Sequence, residues 1–435
     1  MRVQESRHRA KGPRLPKLEP VCSFLALISV TGILIQSGNA GTVVGWGDNR
    51  FGRNNLPQGL SNIVALADGA NHSLALRNDG TVLGWGLGAP TVPSGLSNVV
   101  SVSAGNGFSA VIKSDRTVVG WEWLGSTPFF TPPGLSNVVA LSCGSSHCLA
   151  LKEDGTVEGW GDTKYDWVRQ ASNVPSGLTG VVAVAANDVH SLALKNDGTI
   201  VAWGWNEFGE STSPTSLTDV VSIAAGKYHN LALRSDGTVV AWGRNESGQN
   251  TVPTGLSNVV AIAAGYDCSF ALKGDGTIVA WGDNNYGQLD GVLGISNIAE
   301  ISVMSFHGLA LVENGTYPLR FRLQPKSQTA GIGQTVTLKA LVSGAPPVGY
   351  RWQRHGVTIV TFEQGTPSLT ITNVSLSDSG SYSVVVTNSA NPDPGLRSSN
   401  AVLTVSTSLP PAFVRQPRNL VAPVGGSASF GVVTV

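Results

Sequence analysis

Three short runs in which bulky apolar residues alternate with small ones recur along most of the chain. The fullest copy, Val259 to Gly287, reads VVAIAAGYDCSFALKGDGTIVAWGDNNYG. Its first run, the VVAIAA type, returns at Val99 to Ala104, Val138 to Cys143, Val181 to Ala186 and Val220 to Ala225, with looser forms from Ile63 and Ile298. The second, the SLALK type, begins at Ser73, Ser109, Cys148, Ser191, Asn230, Ser269 and Gly308. The third, TVVAWG, begins at Thr42, Thr81, Thr117, Thr156, Thr199, Thr238 and Thr277. Alternation that leaves both sides of the pleat apolar predicts strands covered on both faces. Val260, Ile262 and Ala264 are expected on one side, Ala261 and Ala263 on the other. Asp-Gly steps such as Asp79-Gly80, Asp197-Gly198 and Asp275-Gly276 join the second and third runs, because glycine accepts the positive φ a tight hairpin needs. The Pro-bearing segments, such as Val252 to Leu256, read as outer edges that cannot template further pairing.

The Gly-Trp or Ala-Trp step that recurs in the third run sets the period. Trp46, Trp85, Trp121, Trp160, Trp203, Trp242 and Trp281 are spaced by 39, 36, 39, 43, 39 and 39 residues, which marks a repeat architecture, a propeller or a solenoid. Small sheets stacked around an axis meet the demand for two covered faces, with the bulky face of one against the small face of the next. The run at Thr42 has no first or second run before it, and Ile298 to Val312 supplies those two without a tryptophan run after them. Pairing Thr42 to Trp46 beside Gly308 to Val312 completes a seventh unit. The expected fold is all-β: a seven-bladed β-propeller over 41–317, closed by its N-terminal strand, followed by an immunoglobulin-like β-sandwich.

The pattern AG-x-x-H-x-L-A-L-x-x-D-G-T-V-x-x-W-G-x-N-x-x-G-Q, fullest from Ala225 to Gln249, resembles the regulator of chromosome condensation repeat. Gly rather than Asp after the tryptophan separates it from a WD-type propeller. The short period and the GLSNVV linkers look closer to the secreted branch of that family that includes β-lactamase inhibitory protein type II. The resemblance is specific for fold; a propeller hosts many unrelated activities.

After Pro318 the grammar changes. Gln334 to Leu338, Tyr350-Arg351-Trp352, Leu369 to Ile371 and Asp378 to Tyr382 resemble an immunoglobulin-like sandwich over 318–406, with Trp352 as its core tryptophan and Tyr382 as its corner tyrosine. The family's two cysteines fall at Ala340 and Val384, so packing alone must join the sheets. Phe413-Val-Arg-Gln-Pro417 echoes Phe321-Arg-Leu-Gln-Pro325, and 407–435 reads as the truncated start of a second copy.

Composition narrows the partners. Charged residues make up only 13% and Lys plus Arg equals Asp plus Glu at 28 each, so no global field draws nucleic acid or an anionic membrane surface. The 53 glycines fit many tight turns. At the N-terminus six Arg and Lys residues up to Lys17 precede an apolar run from Val21 to Ile35 and small residues at Gly38 and Ala40. This is the pattern of an export signal, 1–40, and the run is short of the ~20 residues that span a bilayer. The expectation is a secreted or cell-surface chain with no membrane span after cleavage. Cys143 and Cys148 could pair across a hairpin in an oxidising compartment. Their columns elsewhere hold Ala and Ser, which favours two small unpaired residues.

Candidate chemistry is sparse. His72, His147, His190, His229 and His307 share one column, with Phe108 and Cys268 in the remaining places. One histidine per blade is too dispersed for a tetrahedral metal site and predicts buried imidazoles bonded to a neighbouring loop. The hairpin aspartates read as turn formers. No nucleophile elbow, phosphate loop, zinc spacing or calcium loop occurs, so no catalytic residue, metal or cofactor is expected. The loops after AAG and after WG emerge on one rim, where aromatic residues accumulate. Trp123, Phe129, Tyr165, Trp167, Trp205, Tyr228, Tyr266 and Phe306 are the candidate partner-binding residues; Phe51, Phe208 and Tyr286 read as local packing. The expected function is non-enzymatic recognition of an extracellular protein or glycan. The resemblance also implies inhibition of a secreted enzyme such as a β-lactamase or, from the family's founding member, nucleotide exchange on a small GTPase.

Overall fold

The structure, a computed structural model, describes residues 41–87, 91–122, 131–161, 165–292, 294–314, 319–346, 348–362, 368–389, 391–407, 413–415 and 433–434. The expected export signal, Trp123 and Phe129 lie outside the described residues.

The runs form strands where alternation places them. Among the described residues they build seven three-stranded antiparallel sheets. Six use consecutive strands, as in Val259–Ala264, Cys268–Lys273 and Ile278–Gly282. The last unites Ile298–Met304 and His307–Val312 with Thr42–Gly47 from the start of the ring. Thr42 pairs with Val312 and Trp46 with Gly308. Each inner strand packs against the next, and Ile63–Asp68 packs against Ile298–Met304. The ring is therefore shut by a strand from one end of the sequence lying on a strand from the other.

One expectation fails inside the strands. In every first strand the register slips at the second residue, as between Val259 and Ala261 or between Val99 and Ser101. A bulge inserts an unpaired residue and reverses the facing of what precedes it. Val260 accordingly packs with Ala263 and Phe270, while Ile262 and Ala264 face the opposite layer together with Val259.

Close approach explains the glycine that ends the first strand. A Cβ on Gly144 would sit 1.6 Å from the Asn187 carbonyl oxygen of the next sheet, and one on Gly105 would sit 2.5 Å from that of Gly144. The turns on the other face are stapled by their aspartates. Asp197 Oδ1 accepts from the Thr199 N–H at 3.0 Å and its hydroxyl at 2.6 Å, and the same pair of bonds recurs at Asp79, Asp115, Asp154, Asp236 and Asp275.

Cys143 and Cys148 are directly opposed on adjacent strands and form a disulfide. This corrects the expectation of two unpaired small residues. The column substitutions concealed that the register brings the two together, their Cα atoms 4.1 Å apart. Cys268 is buried and unpaired.

The immunoglobulin-like module is built around Trp352, fully enclosed by Leu338, Ala340, Val384 and Leu403. Tyr382 donates its hydroxyl to the Asp378 carbonyl at 2.8 Å, which makes it the corner tyrosine. Ala340 and Val384 lie in the same apolar core. The module seats on the turn face of the ring. Leu341 joins the cluster of Val260 and Ile298, Lys339 Nζ donates to Ser235 Oγ at 2.9 Å, and the Gly344 N–H donates to the Gly274 carbonyl at 2.9 Å. Beyond it Phe413–Arg415 pairs with Val433–Thr434. Phe413 opposes Thr434 as Phe321 opposes Val342, with both positions advanced by 92 residues.

Candidate functional site

Beneath the rim runs a layer of imidazoles. His147 Nε2 lies 2.8 Å from Ser191 Oγ, His190 Nε2 2.6 Å from Asn230 Oδ1, His229 Nε2 2.9 Å from Ser269 Oγ and His72 Nε2 3.0 Å from Ser109 Oγ. Each partner follows the histidine position of the next sheet, so the bonds are latches between sheets rather than contacts with a loop. The acceptors are themselves committed. Ser191 and Ser269 donate to the carbonyls of Ala171 and Gln249 at 2.8 and 2.7 Å, and Asn230 donates to that of Glu210 at 2.8 Å. The imidazole must then donate through Nε2, and burial keeps it neutral. Burial pushes His72 and His190 down to about 4 and His147 and His229 down to about 3. Where Phe108 replaces histidine the next sheet offers Cys148, and where Cys268 replaces it the next sheet offers Gly308. Donor and acceptor disappear together.

The closing junction adds charge to the latch, in which His307 Nε2 lies 3.5 Å from Ser73 Oγ. His307 Nε2 lies 3.4 Å from Asp68 Oδ1 and its Nδ1 lies 3.4 Å from Arg53 Nη1. Arg53 also donates to Asp48 Oδ2 at 3.1 Å. Hydrogen bonds from Arg50 hold the Asp48 carboxyl down at about 2.

On the rim above, the loops after the first and third strands lie together: the Trp205 N–H donates to the Val189 carbonyl and the Asp48 N–H to that of Phe306, both at 3.0 Å. The aromatic residues there divide into two arcs. In one, Phe208 meets Tyr228 with ring centroids 5.3 Å apart, Tyr266 meets Phe306 edge-on at 5.4 Å, and Tyr286 meets Phe306 at 4.6 Å. Cations bridge the gaps: Lys227 Nζ sits 5.1 and 5.2 Å from the rings of Tyr228 and Tyr266, Arg244 5.3 Å from Phe208, and Arg50 4.6 Å from Tyr286. Each such pair contributes on the order of 0.5–1 kcal/mol at an exposed site. Tyr266 reaches across the rim, its hydroxyl 3.2 Å from Ser145 Oγ on a non-neighbouring sheet, and burial pushes its phenol up. An axial cavity of about 70 Å³ between the inner strands is lined by Asp68, Ser103, Ser142, Asn187 and Ser302 among small apolar residues.

The other arc is open. Tyr165 and Trp167 are 49% and 41% exposed and stack with centroids 4.7 Å apart and planes 20° from parallel. They sit at the start of the helix Asp166–Ser172, an insertion that packs on the strand Ile200–Gly204. Helix and strand approach closely, since a Cβ on Gly204 would lie 3.2 Å from Ala171 Cα. Trp205 follows that glycine. It is 36% exposed, and its indole N–H donates to Glu207 Oε2 at 3.3 Å.

Of the eight aromatic residues picked from sequence, Tyr165, Trp167 and Trp205 thus face solvent, whereas Tyr266 packs on Phe306 and Tyr228 on Phe208, with Lys227 between Tyr228 and Tyr266. Sequence reasoning missed the bridging cations Lys227, Arg244 and Arg50. Their presence within the aromatic loops was the available signal. It also missed the latch acceptors, legible as a column of Ser and Asn one place after the histidines. Among the described residues no three His, Cys, Asp or Glu side chains converge as a metal ion would require.

Comparison with known proteins places this geometry. The family model for the regulator of chromosome condensation repeat matches residues 63–89, 138–165, 181–210, 220–249 and 259–288, and an immunoglobulin-domain model matches 320–388. The chain carries these repeats followed by an immunoglobulin-like domain, and its ring is a β-propeller of that type. The crystal structure of Prp20p from Saccharomyces cerevisiae, described with its binding to Gsp1p and histones, is similar over 65% of this chain and 93% of its own, at 20% identity and a TM-score of 0.55. Yeast Prp20 in complex with Kap60 is similar over 72% of this chain and 97% of its own, at 19% identity and a TM-score of 0.55. At that identity the likeness is one of fold. Among curated proteins, rat neogenin is 30% identical over 110 residues, and the chain spans 8% of its length.

Proposed function

We propose that this chain is an exported, non-enzymatic recognition protein. A seven-bladed propeller presents an aromatic rim to an extracellular protein or glycan, and the immunoglobulin-like module holds the opposite face. Seven three-stranded sheets with a shared closing sheet support the blade number. The observation that carries the reading is the exposure of the stacked pair Tyr165 and Trp167 and of Trp205, while Phe208, Tyr228, Tyr266, Tyr286 and Phe306 each pack on another ring. Large exposed aromatic side chains dominate binding hot spots. The binding of Gsp1p and histones named for Prp20p stays with that protein.

The test replaces Tyr165, Trp167 and Trp205 together by alanine in the full chain and measures capture of ligands from the extracellular fluid or envelope of the producing cell. Loss of capture with an unchanged melting temperature is the expected outcome. Capture equal to that of the unsubstituted chain would refute the rim assignment.

A further inference from the structure

We infer that the open arc of the rim is a binding site for a neutral, flat-faced oligosaccharide, with the Tyr165–Trp167 stack as its platform and Trp205 as a second contact. The inference rests on the recognition reading above and names its ligand class. Ring geometry decides first. A cationic ligand such as a quaternary ammonium is held by several ring faces turned inward around it. Here two rings stack face to face, 4.7 Å apart and only 20° from parallel, so the stack leaves a flat outer ring face rather than an inward-turned cage. The matching ligand face is that of a pyranose with equatorial substituents, whose axial C–H bonds form an apolar plane over the ring and whose hydroxyls point sideways.

Charge decides next. Carboxylates flank the open arc: Asp166, paired with Arg169, and Glu207, bonded to the Trp205 indole. Carboxylate oxygens accept hydrogen bonds from sugar hydroxyls and repel sulfate, sialate and phosphate. Arg50, Lys227 and Arg244 lie in the other arc against its rings, and Arg169 in the open arc is paired with Asp166. The Tyr165 and Trp167 rings hold each other by stacking, and the Trp205 indole is tied to Glu207, which reduces the side-chain freedom lost on binding.

The experiment uses the full chain with cellohexaose and chitohexaose as neutral probes and a heparin hexasaccharide as the anionic control, read by intrinsic tryptophan fluorescence and calorimetry. Saturable binding of a neutral probe, weakened at least tenfold by Trp167→Ala and by Trp205→Ala but unchanged by Lys227→Gln in the other arc, is the expected result. Binding confined to the heparin fragment overturns the inference, as does neutral binding insensitive to Trp167→Ala. If neither neutral probe binds while a purified protein ligand is captured in a Tyr165- and Trp167-dependent way, the glycan inference fails and the recognition reading survives. If the triple alanine variant changes no binding at all, both fail.

Discussion

The ring and the immunoglobulin-like module hold their sheets together by opposite means. In the module the contact between sheets is wholly apolar, centred on Trp352, with Ala340 and Val384 where related domains place a disulfide. In the ring the junctions between sheets are built from small and branched apolar residues, and all but those at Phe108 and Cys268 carry a polar latch, imidazole to hydroxyl or amide. The difference follows from size and repetition. One sandwich core is large enough to specify its own packing, whereas seven thin junctions of near-identical small residues would tolerate sliding. A buried hydrogen bond adds about 1 kcal/mol when made and costs more when one partner is missing, so it fixes register.

Acid should separate the two regions most strongly. The buried histidines titrate at about 3 to 4 in the folded ring against about 6.5 in an unfolded chain. Below pH 6.5 the unfolded chain takes up protons that the ring refuses, so the stability present above that value is lost as pH falls toward 4. Each site forfeits on the order of 3 kcal/mol. Hydrogen exchange read segment by segment at pH 7 and pH 4.5 is expected to show protection collapsing in 63–312 and persisting in 328–406. Equal loss in both regions would contradict the latch account.

A Trp352→Ala substitution inverts the comparison. It is expected to remove about 3–5 kcal/mol from the module alone, seen as an early, separate transition in calorimetry with the ring's own transition preserved. Smaller still, Ser191→Ala leaves His147 with an unsatisfied buried donor and should cost about 1–3 kcal/mol, measured as a lowered urea midpoint for the ring. Cys148→Ser, at a junction that has no histidine opposite, gains no latch and gives up the disulfide with Cys143, so it should lower the midpoint rather than raise it. The least effect is expected from Tyr165→Ala with Trp167→Ala, within ~0.5 kcal/mol of the parent, because these rings are exposed. Phe306→Ala in the interlocked arc should exceed that severalfold. A large loss of stability from the Tyr165 and Trp167 pair would mean that the open arc is structural.

Much of the fold could be read from the chain, and the candidate site only in outline. The three strands per repeat, the turn aspartates, the closing strand and the tryptophan and tyrosine of the module all follow from local pattern, because alternation, Asp-Gly chemistry and period act over a few residues. The bulge at Val260 did not, since an inserted unpaired residue leaves no mark in an apolar run. Nor did the pairing of Cys143 with Cys148, where column statistics pointed away from a contact that register enforces. The rim was found as a list of aromatic residues, but its division into an interlocked arc and an open one was not.

The chain by itself determined which residues form strands, how many units stack and where the ring must close, because covalent neighbours set those choices. Tertiary structure alone decided which histidine meets which hydroxyl and which rings remain bare. Those contacts join residues some forty positions apart, such as His190 and Asn230, or more than a hundred, such as Ser145 and Tyr266, and only the curvature of the closed ring brings them within reach.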